Sequence, residues 1–274
     1  MRTISDFYDS AHRPPPMIEE QREVWRYRDL LAQLIERNIK VRYKRSVLGL
    51  AWTMLNPLLM MAILTLVFSQ LFRITLEHYA VYVLSALVLW NFFAQATLMA
   101  ASELAWGNSL LQRIYVPRTI FSISAVGTGL INLLFALVPL AVIVVIVGVP
   151  LRPALIFLPI SILLTTMFTL GVGLVLSVLA ASFADVVDIY QVALTAWLYL
   201  TPIIYPKEIV PPQLHWFFLL NPMYYFLEIF REPIYSGTLP AFEIIASASL
   251  LACSMLLIGW WFFARNADDL AYRL

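Results

Sequence analysis

The sequence predicts an all-α integral membrane protein with six transmembrane helices, an N-terminal amphipathic interface helix and short re-entrant helices on the outer side. Three observations carry this prediction. Of 274 residues, 61% are hydrophobic and only 13% charged, with a mean hydropathy of +0.81. A soluble domain carries about 25% charged residues, whereas a lipid-facing fold has no need to hide so much apolar surface. Six apolar runs each reach the ~20 helical residues needed to cross a bilayer core. The basic residues are also spread unevenly about those runs. The net charge of +1 gives no global attraction for nucleic acid.

Taken in order, residues 1–27 form an N-terminal cytoplasmic tail, extended at Pro14-Pro15-Pro16. The first 47 residues hold no apolar run of signal-peptide type, so the first span acts as an uncleaved anchor. A transmembrane domain covers 28–264, with spans at about 49–72, 79–102, 119–147, 154–182, 187–205 and 241–264, and 265–274 is a cytoplasmic C-terminal tail. Placing both termini inside puts fourteen Lys and Arg residues on the cytoplasmic face and four, Arg73, Arg152, Lys207 and Arg231, outside, the bias that sets orientation. Pro57, Pro139, Pro159 and Pro202 are expected to kink their helices.

Three segments do not cross. In 28–46, Leu31, Leu34, Ile35 and Ile39 share one helical face, continued by Tyr43, and Gln33, Glu36, Arg37, Lys40 and Lys44 the other. That is the pattern of a helix lying in the membrane interface. Its basic cluster from Arg37 to Arg45 faces anionic headgroups, as a topology anchor or as a substrate contact. In 107–118, Asn108 or Ser109 caps a short helix that Pro117 stops, tipped by Arg113 and Arg118. This is either a loop with topology-setting arginines or a docking knob for a cytoplasmic partner. The stretch 201–236 is too apolar for a solvated loop, yet prolines at 202, 206, 211, 212, 222 and 233 forbid a continuous span. Two short helices, roughly 212–220 and 222–232, dipping into the outer leaflet fit best, with Glu228, Arg231 and Glu232 as either a functional intramembrane charge cluster or a surface helical pair.

Trp52, Trp90, Trp106, Trp216, Trp260 and Trp261 are read as lying near span ends, as an aromatic belt or, alternatively, as rings that stack on sugar. The sequence contains no G-x-x-x-x-G-K-[ST] motif, so a P-loop nucleotide site is excluded. His12, His78 and His215 are far apart, and no metal site is expected. No nucleophile elbow is present. Asp185 and Asp188 fit a capped turn better than a carboxylate catalyst, and Cys253 lies within an apolar run.

The run RNIKVRYKRSVLGLAWTMLNPLL (37–59) resembles the start of type-2 class ABC exporter permeases, above all the branch exporting O-antigen, teichoic acid and related glycans. LSALVLWNFF, NSLLQRIYVPR, LTPIIYP and LNPMYYFLEIFREPIYSG follow in the family's order, so the resemblance covers about 28–264. Ala184-Asp185 departs from the Arg-Asp frequent at that turn. The resemblance implies a non-enzymatic permease subunit in the bacterial inner membrane, working as a homodimer with two separate ATP-binding cassette subunits. No cofactor is implied in this chain; ATP and magnesium would belong to the partner. It further implies a coupling helix at 107–118, with Asn108, Leu111, Arg113, Tyr115, Pro117 and Arg118 meeting the ATPase. The cytoplasmic rim at Arg37, Lys40, Arg42, Lys44 and Arg45 would attract a polyprenyl diphosphate carrying a long glycan. An outer gate would include Trp216, Tyr224, Tyr225, Glu228 and Arg231. Alternatives of the same class carry capsule, teichoic acid, drugs or lipids. A membrane-embedded polyprenyl-phosphate glycosyltransferase is a further reading, one that would need grouped acidic residues where only Asp185 and Asp188 qualify.

Overall fold

A computed structural model describes residues 16–44, 47–49, 51–70, 78–105 and 117–273. Among these, all regular structure is helical: α1 (Pro16–Arg26), α2 (Arg28–Tyr43), α3 (Ala51–Gln70), α4 (Tyr79–Ala105), α5 (Thr119–Val147), α6 (Leu158–Ser182), α7 (Val186–Leu200), α8 (Trp216–Leu219), α9 (Pro222–Tyr235) and α10 (Phe242–Arg273), with short 3-10 turns before α6 and before α8. Among the described residues, four helices are long and apolar enough to cross a membrane, Tyr79–Ala105, Thr119–Val147, Pro153–Ser182 and Phe242–Asn266. Ala51–Val67 and Val186–Leu200 are shorter apolar helices.

The fifth apolar run ends earlier than its composition indicates. Helix α7 stops at Leu200, and Thr201 is already extended at φ −101°, ψ 136°. The residue before a proline is pushed out of the helical region, and Pro202 follows. The N-terminal segment differs in the other direction. It was expected to be a tail, yet Pro16 opens α1, a position where the missing N–H of proline does no harm. Val24 of α1 joins a buried cluster with Leu34, Phe121, Val178 and Phe263, and Glu20 accepts a hydrogen bond from the Thr119 hydroxyl. Helix α10 likewise runs on to Arg273, through the segment expected to be a C-terminal tail.

Helix α4 is the hub, with an unbroken buried run from Val81 to Trp90. It packs against α3, α5, α6, α7 and α9. Trp90 sits near the middle of α4 and is 3% exposed, so it belongs to the core rather than to an interfacial belt. Its ring meets Trp197 edge-on at 6.0 Å, Trp197 meets Phe93 at 5.3 Å, and Phe93 stacks on Phe168 at 5.8 Å. Phe168 meets Phe226 at 4.6 Å, so one aromatic chain joins α4, α7, α6 and α9. These rings are spent on one another, in the offset and edge-on geometries that aromatic pairs prefer.

Helices α6 and α10 approach backbone to backbone. A Cβ on Gly171 would overlap the Met255 carbonyl, and one on Gly259 would overlap the Gly171 carbonyl. Close approach through small residues is how helices associate in lipid, where no hydrophobic drive brings them together. Hydroxyl bridges add to it: Ser122 donates to Ser177 at 3.1 Å between α5 and α6, and Thr97 pairs with Tyr190 at 2.8 Å between α4 and α7. The outward faces stay apolar, with Leu59 and Ile63 on α3, Val138, Val142 and Ile146 on α5, Ile189 and Val192 on α7, and Leu250 and Leu257 on α10 all exposed.

Candidate functional site

The residues expected to act lie on three segments. The first is α2. Its apolar face is turned to the bundle, with Leu34 buried and Leu31, Ile35 and Ile39 half-buried. The Ile35 terminal methyl lies against Gly127 of α5, 2.6 Å from where a Cβ would stand. Asn38 Nδ2 donates to Glu103 Oε1 at 2.9 Å, and Ser124 Oγ donates to the other oxygen at 3.5 Å. This pins α2 to the last turn of α4. The opposite face exposes Gln33, Glu36, Arg37 and Lys40, as the sequence periodicity requires. With Lys44 they line an open hollow of about 740 Å³. Glu36 and Lys40 pair within it, one turn apart. The Lys40 hydrogen bond and charge hold the Glu36 carboxyl below its ordinary pKa. The Arg42 side chain and all of Arg45 lie outside the described residues.

The second place is the segment between α4 and α5. Asn108, Leu111, Arg113 and Tyr115, expected to contact a cytoplasmic partner, lie outside the described residues. Pro117 is buried, and its carbonyl accepts from Ile120 N at 3.2 Å as α5 begins. Arg118 is half-buried at the N-cap position.

The third place is 201–236. Two short helices are present here, α8 and α9, with α9 reaching Tyr235. Asn221-Pro222 starts α9 in the favoured way: the Asn221 side chain accepts from Met223 N at 3.1 Å, and proline takes the first helical position. The same Asn221 oxygen accepts from Trp197 Nε1 at 2.7 Å, and its amide donates to Thr201 at 2.9 Å. Glu228 and Arg231 form an i,i+3 pair at 3.5 Å. They are not at the surface, being 8% and 3% exposed. Arg231 also donates to the Pro202 carbonyl at 2.8 Å and lies over the Tyr82 ring at 3.9 Å. Lys207 stands 3.8 Å from Glu228 and 3.4 Å from the Tyr224 hydroxyl. Burial opposes the Lys207 charge, but Glu228, Tyr224 and Glu208 together raise its pKa above the ordinary lysine value. Tyr79 donates to the Ile204 carbonyl at 2.6 Å, and Tyr82 to the Tyr205 carbonyl at 3.2 Å. Backbone carbonyls released by the prolines are thus satisfied by protein side chains. Of the expected gate residues, Glu228, Arg231 and Tyr224 are brought together, Tyr225 donates to the Leu219 carbonyl at 2.9 Å, and Trp216 stands apart at 56% exposed.

Sequence reasoning missed Tyr82, Lys207 and Asn221 as partners in this network, and Asn38 with Glu103. The Asn-Pro step at 221–222 was a usable signal for the cap. It also missed a polar chamber of about 250 Å³ between α3, α4 and α5, lined by Trp52, Thr53, Asn56, Asn91, Gln95 and Asn132. The signal was amides inside otherwise apolar spans. Asp185 and Asp188 are exposed at the start of α7, and Asp185 makes no side-chain cap hydrogen bond.

The chain is similar to known proteins over most of its length. The chain is 27% identical over 257 residues to the O-antigen export system permease protein RfbA of Myxococcus xanthus, covering 93% of this chain and 99% of that one. It is 25% identical over 248 residues to RfbA of Klebsiella pneumoniae, covering 89% and 93%. It is also 25% identical over 246 residues to the capsule polysaccharide export inner-membrane protein CtrC of Neisseria meningitidis serogroup A, covering 86% and 90%. The family described as ABC-2 type transporter matches residues 29–235, from α2 through α9, and the chain belongs to that family.

Proposed function

We propose that this chain is the permease subunit of an ATP-driven exporter that moves a polyprenyl-diphosphate-linked polysaccharide of O-antigen type across the bacterial inner membrane. The observation that carries this reading is the hollow on α2. Three cations, Arg37, Lys40 and Lys44, line it on the exposed face of a helix whose other face is packed on the bundle. A diphosphate sliding in the inner leaflet meets them at the headgroup level, where basic side chains attract anionic groups. The names of the aligned relatives, O-antigen and capsule export proteins, support the polymer class.

In this reading the chain crosses six times, with α3 and α7 as the short crossings and both termini cytoplasmic, in keeping with the excess of basic residues before α3 and with Arg265 and Arg273 in the C-terminal part of α10. Two copies form the conduit, the usual closed symmetry for such an assembly. An ATP-binding cassette subunit docks beneath each copy on the 107–118 segment. The stretch 201–236 caps the outer end, and its movement opens the path.

The test is a variant carrying Arg37→Gln, Lys40→Gln and Lys44→Gln, co-expressed with the ATPase. Surface polysaccharide should fall at least tenfold, while the permease–ATPase complex purifies in normal yield. Normal export by a correctly assembled variant would remove the uptake role of the α2 hollow.

A further inference from the structure

We infer that the chamber between α3, α4 and α5 is a binding site for a single neutral sugar ring of the translocating glycan, distinct from the cationic hollow on α2. This rests on the polysaccharide reading above. The chamber lies within the spans: Asn91 and Gln95 are near the middle of α4, Asn132 faces them from α5, and Asn56 stands one turn into α3. Among the described residues, the exposed Asn56 and the half-buried Asn91 side chains make no hydrogen bond within the chain. An unsatisfied amide facing hydrocarbon is heavily penalised. Two of them beside one hollow therefore call for an occupant that hydrogen-bonds.

The chemistry of the lining defines that occupant. None of its side chains is ionisable, so a phosphate would be desolvated there without compensation. Amides offer donors and an acceptor on one rigid plane, which matches neighbouring hydroxyls that each donate and accept. Trp52 is among the lining residues, and an indole ring suits the apolar side of a pyranose. At about 250 Å³ the space is just below the usual span of ligand pockets, ~300–1,000 Å³, and holds one ring rather than an oligomer. Gly129 keeps α5 close at the chamber wall, since a Cβ there would come within 2.8 Å of Ala96. The exporter thus separates its contacts: charge for the diphosphate at the rim, amides for the sugar inside.

The experiment places the photoreactive residue p-benzoylphenylalanine at Trp52 of the full permease, co-expressed with its ATPase in cells that make the polymer. Irradiation should yield a permease adduct that reacts with periodate glycan stain. An adduct only with a second permease or with phospholipid, or no adduct in cells that export normally, overturns the sugar site. Deletion of the permease gene separates the two levels. Polymer still exported without it defeats the functional reading itself, whereas permease-dependent export without a glycan adduct defeats only the chamber. In parallel, Asn56→Leu with Asn91→Leu should lower export about tenfold, the loss expected for one or two neutral hydrogen bonds, at unchanged membrane abundance and complex yield. Export at the wild-type rate overturns the proposal.

Discussion

Arg231 shows how one side chain holds an irregular segment in place. It makes a carbonyl hydrogen bond, an ion pair and a ring contact at once, to Pro202, Glu228 and Tyr82. Removing one partner of a buried pair is costly because the other charge stays behind. Arg231→Ala is expected to destabilise the protein by about 3–5 kcal/mol, read as a lower unfolding temperature in detergent. Glu228→Gln combined with Arg231→Met should lose clearly less, because no charge is then stranded. Asn38→Leu is a second test at this scale. It leaves the half-buried Glu103 carboxylate without its amide donor and should cost about 1–3 kcal/mol. The i,i+3 spacing of Glu228 and Arg231 was legible in the sequence. Their burial was not, because Tyr82 and Pro202 come from positions far away along the chain.

At the scale of elements, helix existence was legible wherever the apolar run was long, as in α4, α5, α6 and α10. The faces of α2 were legible too, because a 3.6-residue period fixes them without knowledge of the partner. The end of α7 was misread because Thr201 to Ile204 are apolar or small and buried, and so look like more span, while Pro202 ends the helix. Helix α1 was missed because its residues are mostly polar and its stability comes from packing on α5 and α10. The glycine contacts lead to a contrast. Gly171→Ala should disrupt the α6–α10 crossing, since the obstacle is the Met255 carbonyl. Gly127→Ala should be mild, since the obstacle is the end of the flexible Ile35 side chain. The yield of monodisperse protein in size-exclusion chromatography distinguishes the two.

The whole molecule leaves apolar faces on α3, α5, α7 and α10 uncovered, too many to be met by water. Lipid covers part of them, and the proposed second copy covers another part. Native mass spectrometry of the purified exporter should therefore find two permease chains with two ATPase chains, and a single permease per particle would dismiss the dimer. The division of labour between rim and chamber also belongs to this scale. Neutralising α2 should weaken capture of every substrate bearing the diphosphate, whereas altering Asn91 should depend on which sugar the polymer contains. Comparing export of two polymers by each variant checks this.

The shortness of α7 has a consequence for the surrounding bilayer. Its 15 residues rise about 22 Å, against a hydrocarbon thickness of ~30 Å. In the proposed six-span topology the acyl chains beside α7 compress or the helix sinks to one side, at a fraction of a kcal/mol per Å of mismatch. The exposed ridge of Ile189, Val192 and Tyr199 borders that pinched zone. An amphiphile with a large hydrated head faces its thinnest oily barrier there, and the transporter should run faster in short-chain phosphatidylcholines than in long-chain ones.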